Sequence, residues 1–380
     1  MARRRPTRGL HEWLLVGAGL ALLAVAAVVT PSTPSEPPPS APVTIGVECA
    51  AADTPCRVAA WTAAVETRGL EAVIAIFEAT VDETSVYETD CHVISHALGS
   101  AAYERAGRDI GQAAALGSLE CSGGMVHGAV IRAMIEQRAT GPADLEAIAR
   151  RCIAPDVSGS SWEHQRQCIH GMGHGLVAIG GPIEAALRGC DEIDIAEWPE
   201  AATVCGDGAI MEAFDPFIDG HATLLVRSDG DVMTPCLEFE DPRYVADCAY
   251  YAIRQATRVD FVAGLARCDT LPNEIRDACL RGAGADGWGS LLQRPDEARR
   301  ACATFRDPAD CRDRLAFGVG EIVHIIPEAA EAYCAAIADA GCIGAIARGA
   351  AAATTRSPIE HCNEAPISDR ARAACRSTLE

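Results

Sequence analysis

No lysine occurs in the 380 residues, so every fixed positive charge is an arginine. Acidic side chains outnumber basic ones by 53 to 32, a formal net charge of −21. A field of that sign repels phosphate backbones, which excludes nucleic acid as a partner. Aromatic residues are scarce, at 5% of the chain. Sheets favour β-branched and aromatic side chains, whereas alanine and glycine suit closely packed helices, so the composition points to an all-α body. No two cysteines stand in CxxC spacing, which removes the common redox pairs, c-type haem attachment and the usual zinc-knuckle spacing. HExxH, GxSxG, a Walker glycine loop and a dinucleotide-binding glycine fingerprint after a strand are also missing.

What is present begins at the N-terminus. Arg3, Arg4, Arg5 and Arg8 precede Trp13–Val29, a stretch without a charge. A basic region followed by a long apolar run reads as a signal peptide or a single transmembrane anchor. The arginines would stay inside, which places the rest of the chain on the extracytoplasmic side, in the periplasm or at the cell surface. A retained segment would make the membrane a partner and the protein membrane-anchored. The expected organisation is a basic region over 1–12, the apolar segment over 13–29, a Pro/Ser-rich linker over 30–42 and a Cys-rich helical repeat domain over 43–380.

The 18 cysteines are an even number, and disulfides persist outside the cytoplasm. From residue 152 onward they fall into close pairs, from Cys152 with Cys168 to Cys362 with Cys375, and the second members recur 31 to 43 residues apart. That period is the length of a two-helix repeat. The first cysteine of a pair tends to end an amphipathic stretch, as in DLEAIARRC, and the second tends to open another, as in CIHGMGHGLVAI. The fold class expected is a disulfide-stapled array of helical hairpins, an α-solenoid. Two earlier pairings complete the set, Cys49 with Cys56 and Cys91 with Cys121.

Five histidines follow such opening cysteines closely. His92 and His96 lie in CHVISHALG, His127 in CSGGMVHGAV, and His170 and His174 in CIHGMGHGLV. Within each pair the spacing is i, i+4, which places both rings on one helix face. Stacked repeats would align the three helices and bring the imidazoles together as ligands for a divalent transition metal, with Zn, Cu and Fe not distinguished. Glu212, seven residues after Cys205, can add a carboxylate, with Asp215 beside it. Gly171, Gly173 and Gly175 surround His170 and His174. Each glycine costs a helix interior about 1 kcal/mol against alanine, so three within five residues imply close helix approach or ligand access to the backbone. Glu321 and His324 form an ExxH pair that joins the site only if the array curls closed. The readings that follow are a metal-binding protein or metalloenzyme, a metal carrier, and an interaction scaffold with a protein partner.

Overall fold

The computed structural model describes residues 45–46, 48–49, 53–83, 91–154, 161–180, 182–214, 231–293, 295–323, 326–354 and 356–379. These belong to one compact unit, Thr44–Glu380. Every regular element among the described residues is a helix. The first are α1 (Thr54–Arg68), α2 (Leu70–Glu83), α3 (Cys91–Arg105), α4 (Ile110–Leu116), α5 (Glu120–Thr140) and α6 (Leu145–Cys152). The middle of the array holds α7 (Trp162–Ala178), α8 (Ile183–Asp191), α9 (Ala201–Phe214), α10 (Thr234–Leu237), α11 (Pro242–Val259) and α12 (Phe261–Cys268). The last are α13 (Asn273–Gln293), α14 (Pro295–Cys302), α15 (Pro308–Val323), α16 (Ala330–Ile337), α17 (Cys342–Ala353), α18 (Pro358–Glu364) and α19 (Asp369–Ser377).

Short helices alternate with longer ones, and this alternation builds two layers. The longer helices form a ladder in which α3 packs on α5, α5 on α7, and so on rung by rung to α17. The short helices form the second layer, with α4 on α6, α12 on α14 and α14 on α16. Local chemistry marks the starts. Asp144 and Asp260 cap α6 and α12 through their carboxylates, and Ser161 opens α7 with a reciprocal capping box. Pro242 occupies the first turn of α11, where its missing N–H costs nothing.

All 18 cysteines are paired, in the pairs read from the sequence, and none is free. Seven of the bridges tie a short helix to the longer helix that follows it. Cys91–Cys121 differs, since it links the starts of two adjacent rungs, α3 and α5. Few aromatic side chains are available to fill the interior, so burial contributes modestly per residue. Cross-links offset this by restricting the unfolded chain, each by roughly 2–4 kcal/mol in loop-entropy models.

One expectation shifts in detail. The second cysteine of a pair does not generally open its helix: Cys168, Cys205, Cys248 and Cys279 all lie after the first turn. The caps at Ser161 and Asp241 start those helices earlier than the cysteine does. His170 and His174 therefore stand in mid-helix, where i, i+4 geometry is regular.

The membrane expectation is corrected. Trp13–Val29 lies outside the described residues, and among the described residues no helix is long and apolar enough to cross a membrane. The two longest helices, of 21 residues each, are too polar; α5 carries Glu120, Arg132, Glu136 and Arg138. The membrane-anchored reading, with the membrane as a partner, is set aside.

Candidate metal centre

Close packing of the rungs comes first, because it sets where the histidines stand. A methyl group added to Gly128 would collide with the His96 carbonyl, and one on Gly208 with the His170 carbonyl. One on Gly173 would strike the Cys205 carbonyl and the Ala209 amide, and one on Gly171 would lie 2.8 Å from the His127 Cα. Of the glycines of HGMGHG and CSGGMVHG, Gly124, Gly128, Gly171 and Gly173 thus meet the backbone of a neighbouring helix, whereas Gly123 and Gly175 make room for the Gln167 and Met134 side chains. Only without Cβ atoms can α3, α5, α7 and α9 approach closely enough for short imidazole side chains on different rungs to meet.

They do meet. His92 and His96 on α3, His127 on α5 and His170 and His174 on α7 form one cluster. The His96 and His174 ring centroids are 5.6 Å apart, those of His127 and His174 5.0 Å, and those of His127 and His170 4.9 Å. His92, His127 and His174 each offer a ligand atom, and all three atoms lie within 4.8 Å of one another. Nitrogens bound to one zinc ion at 2.0–2.1 Å stand roughly 3.4 Å apart in a tetrahedron, so small side-chain rotations bring the three to bonding distance. His96 Nε2 is 3.0 Å from His92 Nε2, beside the trio.

Each imidazole is oriented by a partner on its outer side. The His92 Nδ1 contacts the Cys121 carbonyl oxygen at 2.6 Å. That carbonyl is placed by an unusual turn: Cys121, Ser122 and Gly123 all adopt left-handed backbone angles (φ 57°, 57° and 71°) at the start of α5. Such angles are strained for residues with a side chain, and strain of this kind collects at functional sites. The Cys91–Cys121 bridge holds the turn against α3. His127 Nε2 sits 2.8 Å from the Gln167 Oε1, which can only accept, so Nε2 carries the proton. The lone pair is then on Nδ1, which is buried and has no hydrogen-bond partner among the described residues. A buried acceptor left this way is what a metal ion would satisfy.

His174 and Glu212 are both fully buried and meet through Nδ1 and Oε2 at 2.8 Å. A carboxylate behind an imidazole fixes the tautomer and raises the basicity of the other nitrogen, as in carboxylate–histidine–zinc arrangements. Glu212 therefore stands behind His174. Asp207 Oδ2 lies 3.1 Å from His170 Nδ1, close enough for ion pairing though off the line of a well-formed hydrogen bond. Asp207 and Gln167 were not among the sequence candidates. A signal for Asp207 existed: it stands two residues after Cys205, as His170 stands two after Cys168.

Burial holds His96, His127 and His174 well below the usual imidazole value of 6.5, and the neighbouring imidazoles disfavour a further charge. Neutral imidazole is the form that ligates metal. The sign for stability follows. As pH falls through about 6.5 the unfolded chain protonates these rings while the folded one does not, so unfolding takes up protons and stability drops. The raised carboxyls of Asp247 and Glu321 act in the opposite sense, so the histidine share is read against a variant. In urea unfolding of the metal-free proteins at pH 7.5, 6.5 and 5.5, the stability of the parent relative to His127→Ala is expected to fall with pH, and a relative stability that rises as pH falls contradicts the assigned environment.

The other candidates separate cleanly. His164 is 2.9 Å from the Ser161 Oγ and 3.2 Å from the Gly117 carbonyl, and serves the capping box of α7. His361 is buried far along the chain and meets Thr354 Oγ1 at 3.0 Å. Glu321 pairs with Arg281. Asp215, His221 and His324 lie outside the described residues.

Comparison with protein-family models, with curated proteins and with solved structures gives no match to this chain.

Proposed function

We propose that this is an extracytoplasmic protein that binds one divalent transition metal ion through His92, His127 and His174, with His96 as the adjacent fourth imidazole. The observation that carries the reading is the convergence of three ligand nitrogens from three successive rungs within 4.8 Å. Further support comes from the partners behind the rings: Cys121, Gln167 and Glu212 pre-set the three imidazoles. The nine disulfides support an oxidising compartment.

An all-imidazole set suits Zn, Cu or Fe and discriminates against Mg and Ca, which prefer oxygen. With His96 beside the trio and not one of the ligands, three protein ligands would leave a coordination position for an exogenous group, the arrangement of catalytic rather than structural zinc sites. A metalloenzyme is therefore favoured over a pure carrier. In that role His174 would be oriented by Glu212 and His127 by Gln167, and the glycine contacts would keep the rings in place. A scaffold without metal would need no cluster of buried imidazoles.

Metal content tests this reading. The full chain, purified from an oxidising compartment, stripped with chelator and refilled separately with Zn, Cu and Fe, is expected to retain close to one equivalent of at least one of them after dialysis. His92→Ala, His127→Ala and His174→Ala should each lose it, whereas His361→Ala should not. Retention by all three cluster variants, or by none of the proteins including the parent, overturns the proposal.

A further inference from the structure

A cavity of about 240 Å³ opens beside the histidine cluster. Its wall takes residues from every long helix from α5 to α17, so the ladder curls far enough for Glu321 on α15 to face the same space as His127 on α5. Drug-sized ligands occupy roughly 300–1,000 Å³, so this space suits a smaller molecule.

The wall is polar in a particular way. The chain as a whole carries −21, yet Arg166, Arg254 and Arg281 converge on this one cavity. Arg281 is committed: it pairs with Glu321 and, at 3.1 Å, with Asp277. Arg254 lies over the Tyr251 ring, with its guanidinium carbon 5.4 Å from the centroid. Arg166 sits on α7 one turn before His170 and acts on Asp207 and Asp247 through space. Of the two aspartates, Asp207 is occupied by His170. Asp247 is not occupied in this way, for its Oδ2 is buried with no hydrogen-bond partner among the described residues. Burial, with the Asp207 charge next to it, pushes the Asp247 carboxyl up to about 8. Burial thus favours its protonated form, which can donate a hydrogen bond, while Arg281, Arg166 and Arg243 act on it in the opposite sense.

We infer that this cavity binds a small oxyanion-bearing molecule, a carboxylate or a phosphate, gripped by Arg166 and Arg254, bonded by the Asp247 carboxyl and facing His127 and His170 at its inner end. Guanidinium forks match both oxyanions in a bidentate manner, and a neutral carboxylic acid adds a donor without repelling them. The position against the histidine cluster makes such a molecule the substrate or the exogenous ligand of the metal centre, and that second part rests on the metal proposal; the binding itself does not.

Calorimetric titration of the full chain, in buffer free of phosphate and carboxylate, tests both parts. The probes are inorganic phosphate and malonate, each added to the metal-free and the zinc-loaded protein. At least one should bind the metal-free protein saturably at one per chain, with a Kd below about 1 mM. Arg166→Gln and Arg254→Gln should each weaken binding by about tenfold or more. Asp247→Asn keeps a neutral donor and should stay within about twofold of the parent, whereas Asp247→Leu should weaken binding by about tenfold. Arg300→Gln, at an exposed position on α14, should bind as the parent does. Circular dichroism melts of every variant show that the fold is retained. Preference between the two probes decides between phosphate and carboxylate. Lack of saturable binding to either probe up to about 10 mM overturns the inference, as does undiminished binding in both arginine variants. Zinc retained without anion binding sinks this inference and leaves the metal reading standing. Anion binding without metal retention does the reverse.

Discussion

Gly173→Ala is expected to destabilise the fold by about 3 kcal/mol or more, at the upper end of overpacking effects. The added methyl group would meet backbone rather than a side chain that can swing away: the Cys205 carbonyl, the Ala209 amide and the Gly208 carbonyl carbon all surround the position. Rungs α7 and α9 must then separate, and Cys190–Cys205 and Cys152–Cys168 resist that separation because they bind both rungs to the short helices behind. Moving α7 also pulls His174 Nδ1 from the Glu212 carboxylate. The same substitution at Gly341 supplies the control, since the nearest atom there is the Asp339 Oδ1 at 3.4 Å and the backbone angle is ordinary. Alanine at Gly341 should leave the melting temperature within about a degree, consistent with small effects at unstrained sites. Thermal melts of the two variants beside the parent make the comparison. Equal melting temperatures for Gly173→Ala and the parent contradict the close-packed rungs.

The second large effect is linkage between metal and stability. An ion held by α3, α5 and α7 binds the folded chain and not the unfolded one, so it adds RT ln(1 + [L]/Kd), about 4 kcal/mol at a thousandfold excess over Kd. In a unit of this size that is on the order of 5–10 °C in melting temperature. The informative quantity is the difference between the zinc-saturated and chelator-treated protein, not either melting temperature alone. His127→Ala and His174→Ala remove buried groups and so lower stability with or without metal. What they should abolish is the difference. His361→Ala should lower both values, because it breaks a buried contact to Thr354, and keep the difference intact. A difference that survives in the two cluster variants places the stabilising metal elsewhere.

Much of the architecture was legible in the sequence because cysteine supplied a register. Seven pairings followed from local spacing, Cys91–Cys121 was reached only as the remaining pair once Cys49 and Cys56 were joined, and the same register aligned His127 with His174 across α5 and α7. Hydrophobic periodicity alone would have been a poor guide, since α3, α5 and α9 show little amphipathic contrast. The partners of the rings were less accessible. Gln167 lies on a rung whose rotation about its own axis no spacing rule gives, and Asp207 was marked only by standing, like His170, two residues after its cysteine. Glu212 is one position off the histidine column, and only the packed structure puts it behind His174 rather than beside it. The left-handed turn at Cys121–Gly123 was hidden as well, because Cys and Ser carry no propensity for it. The cavity depends on the curl accumulated over many rungs, and small rotations per repeat are not written in any one of them.

X-ray absorption at the zinc edge of the reconstituted full chain is the most direct measurement, because it counts ligands rather than inferring them from stability. The account predicts a shell at about 2.0–2.1 Å with three or four nitrogen donors showing imidazole multiple scattering, and no sulfur at about 2.3 Å since every thiol is in a bridge. His174→Ala should reduce the imidazole count or abolish binding. A shell of oxygen alone, a sulfur-containing shell, or an unchanged imidazole count in His92→Ala, His127→Ala and His174→Ala together would contradict a single centre built from those three residues.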